Sequence, residues 1–306
     1  MSPLKIIFAG SGEFGLPTLA AIADAGHHVV QVVSQPDRPA GRGRKLTPTP
    51  IAQFALDRAL PLERTDNINA FSLPPADVMV VIAFGQKIAP HVVNHPRLGS
   101  VNLHSSRLPR FRGAAPINWA ILSGDAITGN SIIRLAAKMD AGAILAQSEL
   151  AIGKSETAGE LHDRLSQNGV PLMLDTLNAL AAGTSVEVEQ DHTLATLAPK
   201  LSRESAIIDW AQSPLMIARK INGLSPWPGC RVRLTDQAGT ETGRLTLLRA
   251  RAIEGSHPGV GKIIGDTIDQ NVEILEVQPE GKRPMTLSAY RNGYAWEDDF
   301  RVKSIT

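Results

Sequence analysis

The 306-residue chain contains a single cysteine, Cys230. That excludes disulfide frameworks, thiolate zinc sites and Cys-x-x-Cys redox chemistry, and points to a reducing compartment. A surplus of either charge is also missing: 31 Lys plus Arg face 30 Asp plus Glu, a formal net charge of +1. No global field recruits a polyanion, so a nucleic-acid partner must be held by local charge. No apolar run reaches the roughly 18 residues that span a bilayer, and Met1-Ser2-Pro3-Leu4-Lys5 runs directly into a strand-like segment. The expectation is a soluble, cytoplasmic monomer without a leader. Internal repeats and low-complexity tracts are absent too. What is present is apolar: 43% hydrophobic against 20% charged residues excludes disorder and supplies at least one full core.

The first half alternates β-branched runs with helical patterns. Leu4 to Ala9, Val29 to Val33, Val78 to Ala83 and Val101 to His104 are predicted strands. Between the first two, Leu16, Leu19, Ile22 and Ala23 recur at helical spacing before a Gly26 stop. Thr157-Ala158-Gly159-Glu160 spells a capping box that opens a helix through Leu161, Leu165, Leu172 and Leu174 to about Ala182. This order predicts an α/β fold with a doubly wound, mainly parallel sheet over residues 1–189. From Gly183 to Ala206 no apolar face persists, and residues 190–206 are read as a linker. Beyond it, short alternating runs such as Arg231 to Leu234, Leu245 to Leu248 and Val272 to Val277 predict a smaller β-barrel or sandwich over 207–306.

Gly10-Ser11-Gly12-Glu13-Phe14-Gly15 spells G-x-G-x-x-G between a strand and a helix, the context of a dinucleotide site. The acid that should end the second strand is displaced to Asp37, inside a Pro/Arg-rich loop, and Arg38 would suit NADP instead. The competing reading is close strand–helix packing with no phosphate present. An NADP-dependent oxidoreductase is therefore one alternative for the chain. His91 and His95 have helical metal-pair spacing, but no Glu or third ligand accompanies them and Pro96 ends the helix, so no metal is expected. Cys230, with no histidine nearby, reads as a structural thiol.

A strand has period two, so Asn102 and His104 emerge on one face while Val101 and Leu103 take the other. They lie at the carboxyl end of a predicted strand, where open α/β sheets place ligands. The irregular loop that follows is shaped by Pro109 and Gly113, and Pro116 opens the next helix, through Trp119 to Leu122. Taken alone, the pair also fits hydrogen-bonded structural residues, and Asp140 before Ala141-Gly142 also fits a turn. Between Pro36 and Pro50, prolines and glycines interleave with Arg38, Arg42, Arg44 and Lys45 against the lone acid Asp37. This arm can be neither a regular helix nor a central strand. It is read as a mobile basic arm, with a solvated surface loop as the bland alternative.

Asn102-Leu103-His104-Ser105-Ser106-Arg107-Leu108-Pro109, followed by Phe111-Arg112-Gly113-Ala114-Ala115-Pro116 and by Met139-Asp140-Ala141-Gly142, resembles the formyltransferases that use 10-formyltetrahydrofolate. Three stretches extend the resemblance over nearly the whole chain: Gln35 to Leu46, Ala83 to Lys87, and Lys200 to Glu204 leading to Trp210. Pro226-Trp227-Pro228-Gly229 adds to it in the second domain. The resemblance implies a Rossmann-like catalytic domain followed by an OB-like β-barrel. It also implies transfer of the formyl group of 10-formyltetrahydrofolate, a co-substrate, to the amino group of methionyl initiator tRNA for translation initiation.

On the same resemblance Asn102, His104 and Asp140 are catalytic. Asn102 and His104 would donate to the tetrahedral oxyanion. Asp140 would favour the imidazolium form of His104 or take the amine proton through water. Phe84, Gly85, Gln86, Ser106, Arg107, Leu108 and Pro109 would contact the folate. Arg38, Arg42, Arg44 and Lys45 would contact the tRNA acceptor arm, where an arginine fork suits phosphate and base. The basic residues Arg219, Lys220, Arg231, Arg233 and Arg249 could line one face of the second domain. A related folate-dependent formyltransferase, a formyl hydrolase and a catalytically silent RNA-binding protein are the further alternatives.

Overall fold

The computed structural model describes residues 3–41, 43–236, 238–253, 272–294 and 301–305. The chain forms two compact units, Met1–Gly113 with Gly129–Leu150 and His162–Leu197, and Ala114–Thr128 with Ala151–Leu161 and Ala198–Thr306.

The first unit is built on a 7-stranded sheet. Its parallel strands are β1 (Lys5–Gly10), β2 (His28–Ser34), β5 (Leu62–Arg64), β6 (Val78–Ile82) and β7 (Ser100–His104). The antiparallel strands β8 (Ser131–Arg134) and β9 (Ile144–Gln147) complete it in the order β9-β8-β7-β6-β1-β2-β5. Strands flanked on both sides must be apolar along their whole length, and β6 is buried at every position while β1 is exposed only at Lys5. The chain winds outward from β1 through α1 (Leu16–Asp24), β2 and α2 (Pro50–Asp57) to the edge strand β5. It then returns to the other side of β1 through β6, α3 (Pro90–Val93) and β7. The strand order therefore reverses between β1 and β6, where sheets of this kind bind ligands. Thr49 caps α2, its hydroxyl accepting from Ala52 N at 3.1 Å.

The predicted parallel strands form within a residue or two of their expected limits. The short edge strand Leu62–Arg64 and the β8–β9 hairpin carry too little apolar pattern to announce themselves. The basic arm is more regular than its prolines and glycines suggest. Strands β3 (Arg38–Ala40) and β4 (Lys45–Thr47) pair antiparallel, Arg38 opposite Thr47 and Ala40 opposite Lys45, as an exposed ribbon.

In the second unit, α4 (Pro116–Ser123) opens on its proline and closes on Gly124 at φ +76°. Helix α5 (Ala158–Ala182), which belongs to the second unit up to Leu161 and to the first from His162 on, starts on the expected capping box: Thr157 N donates to Glu160 Oε2 at 3.0 Å, and Glu160 N donates back to Thr157 Oγ1 at 3.3 Å. Helix α6 (Pro214–Gly223) faces a 5-stranded antiparallel sheet, with Ile217, Ile221 and Leu224 in one core with Val232, Leu245, Leu247, Ile274 and Val277. The strands are β10 (Cys230–Thr235), β11 (Glu241–Ala252), β12 (Val272–Pro279), β13 (Met285–Thr286) and β14 (Arg301–Ser304), ordered β13-β12-β11-β10-β14, with α7 (Leu287–Gly293) following β13. Among the described residues the edge strands β13 and β14 do not pair, so the sheet is open rather than a closed barrel. Buried Asn222 ties helix to sheet, donating to Ala250 O at 2.9 Å and accepting from Ala250 N at 2.8 Å. Cys230 lies in this core, where burial pushes its thiol up to about 12, the behaviour of a structural cysteine.

Candidate active site

Strand β7 carries the two polar residues that the period-two pattern set side by side. Asn102 lies between Val81 of β6 and Ile133 of β8, while His104 lies opposite Ser131. Asn102 is half-buried, and its amide finds no hydrogen-bond partner among the described residues. His104 is buried, and its Nε2 lies 2.9 Å from Phe111 O. A carbonyl only accepts, so that nitrogen carries the proton and Nδ1 is left to face Asp140 Oδ2 at 3.8 Å. Helix α5 presses on the back of the strand at Gly169, where a Cβ would stand 2.7 Å from Leu103 Cδ2.

Asp140 comes from a loop 36 positions later in the chain, and several devices fix it there. Its φ is +51°, a left-handed conformation that Asp tolerates better than bulkier residues. Oδ2 accepts from Gly113 N at 2.9 Å, and Oδ1 has no partner among the described residues. Two residues on, a Cβ at Gly142 would stand 2.0 Å from Arg134 O, so only glycine fits without displacing backbone. Left-handed backbone also occurs at Phe111, φ +61°, and at Ala83, φ +47°, just beyond β6. Strained residues thus gather where β6, β7 and the Asp140 loop end, as they do at functional sites. The site has an open amide donor, a buried imidazole and a carboxylate with a free oxygen, a set suited to acyl transfer with proton movement.

Comparison with known proteins decides among the readings left open above. The formyl transferase family model matches residues 4–177, and the model for the formyl transferase C-terminal domain matches residues 200–295. A methionyl-tRNA formyltransferase from Moorella thermoacetica is 37% identical over 300 residues, covering 95% of this chain and 96% of its own length. One from Legionella pneumophila is 43% identical over 234 residues, 74% of each chain. The chain belongs to the methionyl-tRNA formyltransferase family. The fold is shared more widely. The N-formyltransferase from Helicobacter canadensis, solved with folinic acid and dTDP-3-aminofucose, superposes with a TM-score of 0.63 at 14% identity, over 85% of this chain and 91% of its own.

Within this family member the remaining candidates are placed unevenly. Phe84 is buried, and its carbonyl accepts from Gln35 Nε2 at 2.9 Å, while Gly85 beside it is exposed at φ +76°. Gln86 uses its side chain internally, accepting from Ile68 N at 2.8 Å and donating to Thr65 O at 2.6 Å. Ser106 is buried and donates to Arg110 O at 2.6 Å. Leu108 is buried too, its N–H and carbonyl held by Ser131 Oγ at 3.0 Å and Gln147 Nε2 at 2.8 Å. Pro109 follows, half-buried, and Arg107 points outward to pair with Glu149 at 2.6 Å. The loop is thus tied to its neighbours through both the buried Ser106 side chain and the Leu108 backbone.

In the basic arm Arg38 donates to Gln35 Oε1 at 2.5 Å, whereas Arg44 and Lys45 are exposed; Arg42 lies outside the described residues. Of the basic residues in the second domain, Arg249 is neutralised by Glu160 at 2.5 Å and Glu276 at 3.2 Å, and Arg231 lies 3.8 Å from Glu280.

The glycine loop has the packing role. A Cβ at Gly10 would stand 2.8 Å from Ile82 O, and one at Gly15 3.2 Å from Phe8 Cζ. Phe14 in the same loop accepts from Ser166 Oγ of α5 at 2.8 Å. His91 and His95 bind separate carbonyls, those of Asn69 at 3.3 Å and Pro74 at 2.9 Å. The sequence reading missed Gln190 and Arg112, buried side chains joined behind Asp140 by hydrogen bonds of 2.6 and 3.1 Å.

Proposed function

We infer that the chain transfers the formyl group of 10-formyltetrahydrofolate to the amino group of methionyl initiator tRNA, giving formylmethionyl-tRNA and tetrahydrofolate. The observation that carries this reading is the unpartnered Asn102 amide beside the His104–Asp140 pair, in a chain related over 95% of its length to a methionyl-tRNA formyltransferase. The amine attacks the formyl carbon and the carbonyl electrons move to oxygen. Asn102 donates its side-chain N–H to that oxyanion, which is worth most where water is excluded. The new ammonium gives up a proton to Asp140, whose free Oδ1 accepts it, and the unprotonated Nδ1 of His104 faces the same carboxyl group, able to take that proton in turn. Collapse of the intermediate breaks the carbon–N10 bond, and the proton returns to N10 of the departing tetrahydrofolate.

The folate is assigned to the walls formed by Phe84 to Gln86 and Ser106 to Pro109. The acceptor end of the tRNA is assigned to the basic ribbon, through Arg38, Arg42, Arg44 and Lys45. Residues 1–189 would then be the catalytic domain, 190–206 the linker, and 207–306 an OB-like domain that supports the tRNA; five antiparallel strands with a packed helix support that last reading. The test is a transfer assay with formyl-labelled folate, run with methionyl initiator tRNA, methionyl elongator tRNA and no acceptor. Label should pass mainly to the initiator. Release without acceptor would make the protein a hydrolase, and tight NADPH binding without transfer would restore the oxidoreductase.

A further inference from the structure

Gln190 is a side chain for which the transfer reaction has no direct use, yet its amide is fully engaged. It is 6% exposed, and Nε2 donates to Asp140 O at 2.9 Å and to Gly142 O at 2.7 Å. Oε1 accepts from Arg112 Nε at 3.1 Å and Nη2 at 2.6 Å. Arg112 is 5% exposed, and among the described residues its side chain meets no carboxylate, only Gln190 and His192 Nδ1 at 2.9 Å. Burying a guanidinium without a counter-charge is unfavourable, so a role in shaping the neighbourhood is the physical reason to keep it. The next residue, Gly113, donates to the Asp140 carboxylate at 2.9 Å. The bonds therefore close a circuit from the carboxylate through Gly113, Arg112 and Gln190 to the backbone of Asp140 itself.

We propose that Gln190, braced by Arg112, is a positioning residue that sets the Asp140 carboxylate for proton transfer. It brackets the Asp140–Gly142 turn by both carbonyls and so holds the left-handed φ of +51° that aims the side chain at His104. The catalytic half of this proposal rests on the transfer reaction inferred above; the geometric half does not.

Gln190→Ala and Gln190→Glu test it in the full-length chain. The second variant keeps an acceptor for Arg112 but has no N–H to give. Both should lower kcat by roughly 10- to 10²-fold, the scale of a small misplacement, while KM for folate and tRNA moves by less than about threefold. In an Asp140→Asn background the Gln190 substitution should add less than about twofold, because the two act as one unit. Full kcat in either folded variant, or losses that multiply, would overturn the proposal. Amide exchange of Gly113, followed by NMR without any substrate, should accelerate about tenfold in both variants. Unchanged exchange would overturn the geometric half. If the wild type transferred no formyl group, the activity reading would fail and the Gly113 readout would still judge the clamp.

Discussion

At the residue scale, the chemistry depends on which polar atoms are free and which are held. Asn102 is open, His104 is pinned through Nε2, and Asp140 keeps one oxygen unbonded. Asn102→Ala should therefore lower the transfer rate by about 10²- to 10³-fold with little change in melting temperature, as removal of an oxyanion donor does; single-turnover kinetics would show it. Gly142→Ala should act differently. Its Cβ would press on the Arg134 carbonyl, lowering stability by about 1–3 kcal/mol in urea titration and dislodging Asp140.

The pairing of Asn102 with His104 was legible because a strand alternates its faces every residue. Asp140 gained its meaning only from family resemblance, since a lone Asp before Ala-Gly is also a plain turn. Gln190 could not be read at all. It carries no motif, it sits in a stretch where no apolar face persists, and its partners are 48 to 78 positions away.

At the scale of elements, patterns with strong local physics were read correctly and weak ones were missed. Continuous apolar runs such as Val78 to Ile82 made central strands, and Thr157 with Glu160 made a capping box. The edge strand Leu62–Arg64 and the basic ribbon form through pairing with neighbours, which no short window reveals. Glu160 serves two masters, capping α5 and binding Arg249. Burial opposes its carboxylate, but the hydrogen bonds from Arg249 and Thr157 hold its pKa below the ordinary glutamate value. A depressed carboxylate stabilises the fold fully above the unfolded-state pKa and loses that contribution as pH falls through the folded-state one. Glu160→Gln should therefore lower stability by roughly 1 kcal/mol at neutral pH, a difference that shrinks in denaturation curves as pH falls below the ordinary glutamate range and through the depressed folded-state pKa.

At the scale of the whole molecule, a net charge of +1 supplies no global attraction for a nucleic acid, and that average conceals a short basic ribbon. Near-neutrality keeps non-specific attraction weak, which favours discrimination among tRNAs. Replacing Arg44 and Lys45 together by alanine should weaken tRNA binding and reduce its salt slope by about 1.4 to 1.8, leaving folate affinity intact in titrations.

The central claim is that Asn102, His104 and Asp140 catalyse formyl transfer onto methionyl initiator tRNA. Single-turnover transfer by the wild type and by Asp140→Asn, with folate and tRNA binding measured in the same preparations, tests it most directly. The expected result is rapid labelling of the initiator by the wild type, and loss of roughly two orders of magnitude or more in the variant with both affinities retained. An Asp140→Asn protein that transfers at the wild-type rate would contradict it.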